Sequence, residues 1–248
     1  MQLLTRRVAT LLSCACSTIP HAQVLAGGLE DVRRAASVLP GYGPADIAYP
    51  PPFRGRWAVT RVVVDVQTPL GEAAAPQEAL RAARASVGDA SVFMQRFVQD
   101  GASVIADRAF NAEHRAAATQ GAPLRDFEAR WEPSNPNVLT LARRSDASLV
   151  EYKVTKRSFE QPFDGAFGTS EYSRIADAGS YGVVSEVPTI LAERVQVKYK
   201  WEPAADVRHL DALEITQTFD PMQTGFADLR GATPVLTIKA RLSLDRSP

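Results

Sequence analysis

The sequence predicts a mainly β fold: a single antiparallel barrel of about nine or ten strands with short flanking helices. Two observations support this prediction. Beyond Ser91, apolar and polar residues alternate in segment after segment, which is the period of a strand with one wet face. No long linker or change of composition divides the chain between Gly55 and Asp245, so the predicted strands belong to one domain.

The composition is that of an ordinary globular protein without net charge. The 248 residues include 28 lysines and arginines against 28 aspartates and glutamates, and 45% are hydrophobic. Because no overall field attracts polyanions, the charge balance argues against a nucleic-acid-binding protein. The apolar fraction is large enough to build a sizeable core.

The first 26 residues have the pattern of an export signal. The pair Arg6-Arg7 precedes an apolar run over residues 8–16, and Val24-Leu25-Ala26 offers a cleavage site. The apolar run is too short to span a bilayer, so we expect a protein that is not transmembrane. We expect residues 1–26 to act as a twin-arginine signal that directs the chain to the bacterial periplasm or, in a plastid, to the thylakoid lumen.

Two other interpretations of this segment stay open. Leu11-Leu12-Ser13-Cys14 is similar to a lipoprotein box, which would anchor the protein through Cys14. The segment would otherwise be a leader without meaning. Cys14 and Cys16 are the two cysteines of the chain. If the leader is removed, no disulfide, thiolate nucleophile or cysteine metal ligand remains.

Residues 27–54 are predicted to be a helix followed by a lead-in rich in proline and glycine. Apolar residues at helical spacing over 29–39 predict a short helix, which Pro40-Gly41 ends. Pro50, Pro51 and Pro52 then fix φ and withhold backbone donors, so the chain is extended where it reaches the barrel domain, residues 55–248.

The barrel domain begins with a strand over residues 55–67, in which Trp57 is a core anchor and β-branched residues are dense. Pro76 suits the first turn of a short helix over 76–85. Further strands are predicted over 92–99, 104–109, 127–131, 138–142, 150–154, 195–201, 213–219 and 236–244. Leu213, Ile215 and Phe219 form the predicted apolar set of one of them. Residues 133–137 have the chemistry of a hairpin turn.

Aromatic residues on inward strand faces are candidates to line an apolar ligand cavity, namely Trp57, Phe97, Trp131, Tyr152 and Tyr199. The same residues would fill a solid core if the barrel has no cavity. Asp107 and Arg108 end an apolar run, where an arginine inside a barrel mouth would bind a carboxylate or phosphate through two hydrogen bonds. The alternative for this pair is a strand-end ion pair or a cap on the following segment.

The sequence contains no motif of a catalytic or metal site. His114 and His209 are the histidines beyond the leader, and neither has a second ligand at metal-binding spacing. P-loop, dinucleotide-binding and nucleophile-elbow signatures are absent. We therefore expect no metal, no cofactor and no catalytic residues.

Gly55-Arg56-Trp57 resembles the Gly-Xaa-Trp signature of the lipocalin and calycin barrels. In those folds the tryptophan closes one end of the barrel under a basic residue from the last strand. The resemblance implies that Lys239 or Arg241 covers Trp57 here. A likeness of fold does not by itself transfer a function.

Several segments resemble a cyanobacterial and plastid family known as a domain of unknown function. The segments are Leu39-Pro40-Gly41-Tyr42-Gly43-Pro44, Tyr49-Pro50-Pro51 through Gly55-Arg56-Trp57, Ala106-Asp107-Arg108-Ala109-Phe110-Asn111 and Asn135-Pro136-Asn137. They occur in the family's order over the first half of the chain beyond the leader. The resemblance implies a photosynthetic organism and a thylakoid-lumen address, and it implies no activity.

The predicted function is that of a non-enzymatic, lipocalin-like barrel that holds a small apolar or amphipathic ligand such as a pigment, lipid or quinone derivative. The alternative is an interaction or assembly factor for a photosynthetic complex, which would have no ligand cavity. An enzyme acting on a small molecule of the lumen is the third hypothesis, with Asp107, Arg108 or Glu128 as its residues.

Overall fold

The computed structural model describes residues 43–180, 189–204, 206–220 and 231–248. The predicted signal over 1–26 and the predicted helix over 29–39 lie outside them. The described residues contain two α-helices, α1 (Gln77–Ala85) and α2 (Arg108–Gln120). They also contain ten strands: β1 (Gly55–Gln67), β2 (Ala90–Asp100), β3 (Ser103–Ala106), β4 (Phe127–Glu132), β5 (Asn135–Arg143), β6 (Ser148–Phe159), β7 (Ala166–Ser180), β8 (Thr189–Lys200), β9 (His209–Phe219) and β10 (Leu236–Arg246).

The ten strands form one antiparallel sheet in the order β3-β2-β1-β10-β9-β8-β7-β6-β5-β4. β1 and β10 are far apart in sequence but are neighbours in the sheet, as the third and fourth strands of this order. The sheet curls into a half-barrel whose edges are β3 and β4. Among the described residues no ladder joins the two edges, because α2 follows β3 and packs against β2, β4 and β5. The mainly β prediction is confirmed, whereas closure of the barrel is not observed.

Most strands lie where the alternation of apolar and polar residues predicts them. The predicted helix over 76–85 is α1, with Pro76 as its N-cap. β4 and β5 form the predicted hairpin, but its turn is limited to Pro133 and Ser134, because β5 already begins at Asn135. The strand predicted over 104–109 is wrong in its second half, since β3 ends at Ala106 and α2 begins at Arg108. β7 is a strand that the alternation analysis missed.

The predicted apolar face of β9 is wrong for its central residues. The residues of β9 that are buried at the inner face are Leu210, Ala212 and Glu214. Leu213 and Ile215, which were predicted to face inward, lie on the opposite side of the sheet, and Leu213 is exposed. The alternation of apolar residues gives the wrong face because Glu214 carries its charge inward. Two arginines neutralise that charge, as described below.

The core next to the proline-rich lead-in, at one end of the half-barrel, is tightly packed with aromatic rings. The 3₁₀ turn Pro51–Phe53 places Phe53 among Tyr49, Phe97 and Tyr199, with ring centroids 5.4, 5.3 and 4.9 Å away. Side chains from β1, β2, β3, β7, β8, β9 and β10 also belong to this cluster. Burial of large aromatic side chains contributes several kcal/mol each, on the order of the ~3 to 5 kcal/mol lost on truncation.

Trp57 closes this end of the core under a basic residue from β10. The indole is fully buried, and its Nε1 donates to the Phe53 carbonyl oxygen at 2.6 Å. The guanidinium that covers it belongs to Arg246, 4.5 Å from the ring centroid, and not to Lys239 or Arg241. Lys239 instead pairs with Asp65. A basic residue from the last strand therefore covers Trp57, as the resemblance implies, but this residue is Arg246, which lies five or more positions beyond the two residues that were predicted.

Gly55, two residues before Trp57, has a backbone conformation that explains its identity. Its φ is +123°, which L-residues rarely adopt, and a Cβ at this position would lie 3.0 Å from Nη1 of Arg246. Arg246 also donates to the carbonyl oxygens of Val207, Arg54 and Pro52. Glycine thus lets the arginine approach the strand closely.

Within the described residues, neither α1 nor α2 has the length and apolar character needed to cross a membrane.

Candidate functional site

A cavity of about 480 Å³ lies between α2 and the inner face of the half-barrel. Its lining comes from β2, β3, β5, β6, β7, β8 and β9 as well as from α2. The apolar part of the lining consists of Ala106, Ala112, Ala116, Leu139, Leu141, Val154, Ile175 and Val195. This volume falls in the range of pockets that hold small molecules, about 300–1,000 Å³.

The helix α2 is fixed at both ends by local chemistry. The Asp107 carboxylate accepts a hydrogen bond from the Phe110 backbone N–H at 3.1 Å, and Gly121 takes the left-handed conformation just after the helix. Ala112 and Ala116, four residues apart and on one face, border the cavity. Their small side chains leave the space that larger residues would fill.

One end of the cavity is bordered by a buried ion network that we call the Glu171 cluster: Asp46, Arg108, Arg157 and Glu171. Arg108, at the start of α2, donates from Nη2 to Asp46 at 2.5 Å and to Glu171 at 2.8 Å. Arg157 also donates to Glu171, and its Nη1 donates to the Asn137 side chain at 2.6 Å. The network ties the lead-in, α2, β5, β6 and β7 together.

The sequence position of Arg157 alone does not predict that it points inward. Val154 faces inward on β6, so strict alternation would place residue 156 inward and residue 157 outward. The register of β6 against β7 shifts between Val154 and Lys156, which adds one residue on the β6 side. This bulge turns Arg157 to the inner face, where its side chain is 2% exposed.

Glu171 is ionised in spite of its burial. Burial alone would raise the pKa of the Glu171 carboxyl, but Arg108 and Arg157 outweigh that effect and lower the pKa to about 2. In return, the neighbouring carboxylates Glu171 and Asp46 raise the pKa of the Arg108 guanidinium against the opposing effect of burial. The carboxylates and guanidinium groups of the Glu171 cluster therefore neutralise one another.

A second ion network, the Glu214 cluster, consists of Arg61, Arg115 and Glu214. Arg115 reaches from α2 and donates from both terminal nitrogens to the two Glu214 oxygens, each at 2.7 Å, and Arg61 from β1 donates at 2.9 Å. Burial would raise the pKa of Glu214, but Arg115 and Arg61 lower it to about 2. Two-pronged contacts of this kind are strong and directional.

Glu193 on β8 is the third inward carboxyl group and differs from the other two. It borders the cavity, and none of the other described residues forms a hydrogen bond or ion pair with it. Burial raises the pKa of the Glu193 carboxyl to about 7; Arg115 lowers it in part, and Glu214 raises it. The cavity is thus bordered by a carboxyl group that is half protonated near neutral pH.

Other polar groups of the lining also lack partners. The Gln95 side-chain oxygen and Nε of Arg108 are buried without a hydrogen-bond partner among the described residues. Tyr152 faces the same cavity, and burial raises the pKa of its phenol to about 12, so the hydroxyl stays neutral. Ligands commonly supply the missing partners of such groups.

The structure brings two of the seven predicted site residues to the cavity, Arg108 and Tyr152. Trp57, Phe97 and Tyr199 lie in the aromatic core instead. Asp107 caps α2 and pairs with Arg96 at 2.6 Å, which is the alternative interpretation of that residue. Trp131, near the end of edge strand β4, is half-buried and outside the cavity lining.

Sequence reasoning missed the polar residues that distinguish the cavity: Gln95, Arg115, Arg157, Glu171, Glu193 and Glu214. A signal existed for Glu193, since it precedes Val195, Val197 and Tyr199 at the two-residue period of an inward face. Glu214 stands in the same relation to Ala212. An acidic residue at the two-residue spacing of inward apolar residues is therefore the sequence pattern that predicts an inward carboxyl group.

The described residues hold no group of three or more histidine, cysteine, aspartate or glutamate side chains arranged to bind a metal ion. His114 contacts Phe110 with the two rings tilted and their centroids 4.1 Å apart, and His209 pairs with Asp245 at 2.8 Å.

Fold and site together define the class of this protein as an antiparallel half-barrel, crossed by a helix, with a partly charged internal cavity. A family model described as a domain of unknown function, DUF6816, matches residues 41–248. The chain belongs to this family, since the match covers most of its length. Neither the curated proteins nor the solved structures contain a match to the chain.

Proposed function

We propose that this protein is a non-enzymatic, lipocalin-like carrier that binds a small amphipathic molecule in the cavity beneath α2. The observation that carries the proposal is the cavity itself, in which alanine, leucine, valine and isoleucine side chains adjoin an unpaired carboxyl group. An apolar wall with a few convergent polar groups is the usual form of a small-molecule site.

The distribution of charge supports binding over structural filling. The Glu171 and Glu214 clusters satisfy the buried charges that the fold itself needs. The Gln95 side-chain oxygen is buried without a partner, and the partly buried Glu193 carboxyl has no ion pair among the described residues. Buried polar groups without partners cost stability, about 1–3 kcal/mol each, and a ligand that supplies partners recovers part of that cost.

The alternative functions receive less support. A factor that assembles a photosynthetic complex was predicted to have no ligand cavity. The three residues of the enzyme hypothesis do not form one site. Asp107 caps α2 and pairs with Arg96, while Arg108 belongs to the Glu171 cluster. Glu128 is half-exposed and pairs with Arg130 and Arg144. Location in a thylakoid lumen or periplasm remains part of the proposal through the paired arginines Arg6-Arg7. A ligand related to a pigment, lipid or quinone remains part of it through the apolar wall of the cavity and Tyr152.

A cavity-filling substitution tests the proposal. Ala116→Trp places an indole in the space beneath α2, while Ala82→Trp puts the same ring on the exposed face of α1 as a matched control. We expect native protein and Ala82→Trp to bind a neutral solvatochromic dye and 1-octanol, measured by fluorescence and calorimetry. Ala116→Trp should bind them at least about tenfold more weakly.

Circular dichroism and the unfolding midpoint show whether Ala116→Trp keeps the fold, and Ala112→Leu offers a milder filling of the same wall. Equal binding by native protein and both cavity variants would overturn the proposal. So would the absence of binding by the native protein.

A further inference from the structure

Building on the proposed function, we infer that the ligand is an amphipathic amine, whose protonated nitrogen donates to the Glu193 carboxylate while its apolar body lies against α2 and β5–β8. The inference concerns the chemical class of the ligand, which the cavity alone leaves open. It depends on how the charges around the cavity are paired.

The terminal nitrogens of the guanidinium groups at the cavity are already engaged by carboxylates of the protein, and Nε of Arg108 is the one buried guanidinium donor of the described lining without a partner. Arg115 gives both terminal nitrogens to Glu214, and Arg108 is held by Glu171 and Asp46. An anionic ligand would have to compete with these intramolecular pairs, most of which are buried. Breaking a buried pair leaves an uncompensated charge, so a carboxylate or phosphate head group is disfavoured.

Glu193 presents the opposite case. Of the two carboxyl groups in the lining, Glu171 is held by two arginines, whereas the described chain offers Glu193 no ion-pair partner. The charged and titratable groups that face it are Arg115 from α2, Glu214 from β9 and Tyr152 from β6. Its direct neighbours across the ladders are Ser173 on β7 and Thr218 on β9.

A cationic donor suits this environment better than a neutral one. An ionised carboxylate that is partly buried is costly without a counter-charge, and a protonated amine supplies both the charge and the hydrogen bonds. The Gln95 side-chain oxygen is a further buried acceptor in the same lining. Apolar residues such as Leu139, Val154 and Ile175 line the remaining wall for a hydrocarbon body.

Proton linkage gives the inference a specific signature. Since the pKa of Glu193 is about 7 in the empty site, the carboxyl group gives up its proton when a cation binds beside it. The ionised fraction rises from about a tenth at pH 6 to about nine-tenths at pH 8, so amine affinity should rise about tenfold over this range. A neutral ligand of the same shape should show little change.

Three probes of equal chain length separate the ligand classes: octylamine, 1-octanol and octanoate, titrated by calorimetry at pH 6 and pH 8 in two buffers of different ionisation enthalpy. We expect octylamine to bind at least about tenfold more tightly than 1-octanol at pH 8, with release of protons near pH 7. Glu193→Gln should abolish the preference and the proton release while still binding 1-octanol. Glu128→Gln, on the exposed side of β4, is the control and should behave as native protein.

The outcomes distinguish this inference from the proposed function. If 1-octanol or octanoate binds as tightly as octylamine, or if Glu193→Gln keeps the amine preference, the amine inference is overturned while the cavity proposal stands. If none of the three probes binds to the native protein, the proposed function falls and the inference falls with it.

Discussion

Glu171, Glu193 and Glu214 occupy inward positions on three neighbouring strands, yet their carboxyl groups have different protonation behaviour. Two guanidinium groups hold each of Glu171 and Glu214, and the pKa of each carboxyl is about 2. Glu193 has burial without such a pair, and its pKa is about 7. The number of arginines in contact therefore decides whether an inward glutamate stabilises the fold or remains available to a ligand.

Replacing Glu193 with glutamine should make the protein more stable at neutral and alkaline pH. In the unfolded chain the carboxyl ionises near pH 4.5, but in the folded protein it holds its proton up to about pH 7. Stability of the native protein therefore falls as the pH rises between these values. We expect the free energy of unfolding of Glu193→Gln, relative to native protein, to gain up to about 3 kcal/mol between pH 4 and pH 8.

Urea unfolding at several pH values measures this difference. Glu128→Gln, a half-exposed glutamate on β4, serves as the control, and its difference from native protein should stay within about 1 kcal/mol. A difference for Glu193→Gln that does not change with pH would show that Glu193 titrates as an ordinary surface residue.

Among the elements, α2 fills the gap between the edge strands and bears two of the four arginines in the ion networks. It presents Ala112 and Ala116 to the cavity and covers β4 through Glu113, whose side chain accepts from the Ala129 backbone N–H at 2.8 Å. Edge strands expose unpaired backbone groups, and a helix that covers one prevents pairing with another chain. One helix thus forms the wall of the site and protects an edge.

The cap of α2 can be separated from the ion pair that Asp107 makes with Arg96. Asp107→Ala removes both the capping oxygen and the charge, and should cost about 1–2 kcal/mol in the free energy of unfolding. Asp107→Asn keeps an oxygen that can accept from the Phe110 N–H and loses only the charge, so it should cost about 0–1 kcal/mol.

Urea midpoints of the two variants, compared with native protein, provide the measurement. Equal destabilisation by alanine and asparagine would mean that the ion pair with Arg96, and not the cap, holds the start of the helix.

The sequence predicts those elements whose inner faces are apolar. β8 and β10 follow this rule, with Val195, Val197 and Tyr199 on one and Ala240, Leu242 and Leu244 on the other. β7 escapes prediction because its inner face carries the polar residues Thr169, Glu171 and Ser173, which break the apolar alternation; the last two line the cavity. The strands that build the site are the ones whose pattern is hardest to recognise.

The helix α2 was missed for a related reason. Its sequence is rich in alanine and has no large aliphatic residue, so it lacks the apolar period that predicts a packed helix. Asp107 before it and Gly121 after it are standard capping residues and were the available signal. Arg108 was found because a charged residue follows the end of an apolar run there, and Tyr152 because it is an aromatic residue on the predicted inward face of a strand. The pairing that leaves Glu193 alone depends on distant residues and appears only in three dimensions.

At the scale of the whole molecule, Arg246 joins three separate segments at one end of the half-barrel. It covers Trp57 and donates to the carbonyl oxygens of Pro52, Arg54 and Val207. Arg246→Met should destabilise the protein by about 2–4 kcal/mol, because it removes the cation from the ring and leaves carbonyl groups without donors.

Thermal and urea unfolding provide the measurement for this substitution. Arg241→Met, an exposed position on the same strand, is the matched control and should change the free energy of unfolding by less than about 0.5 kcal/mol. Similar effects of the two substitutions would contradict the role that the structure gives to Arg246.

The position of β10 between β1 and β9 also dictates an order of events during synthesis. The strands β1–β3 and β4–β9 emerge from the ribosome as two separate meanders, and neither has its partner until residues 236–246 follow. Pairing across such a sequence distance is slow, because a long loop must close before the contacts form. The two meanders can therefore join only after β10 has been synthesised, and until then the facing edges of β1 and β9 lack their partner and are open to association with other chains.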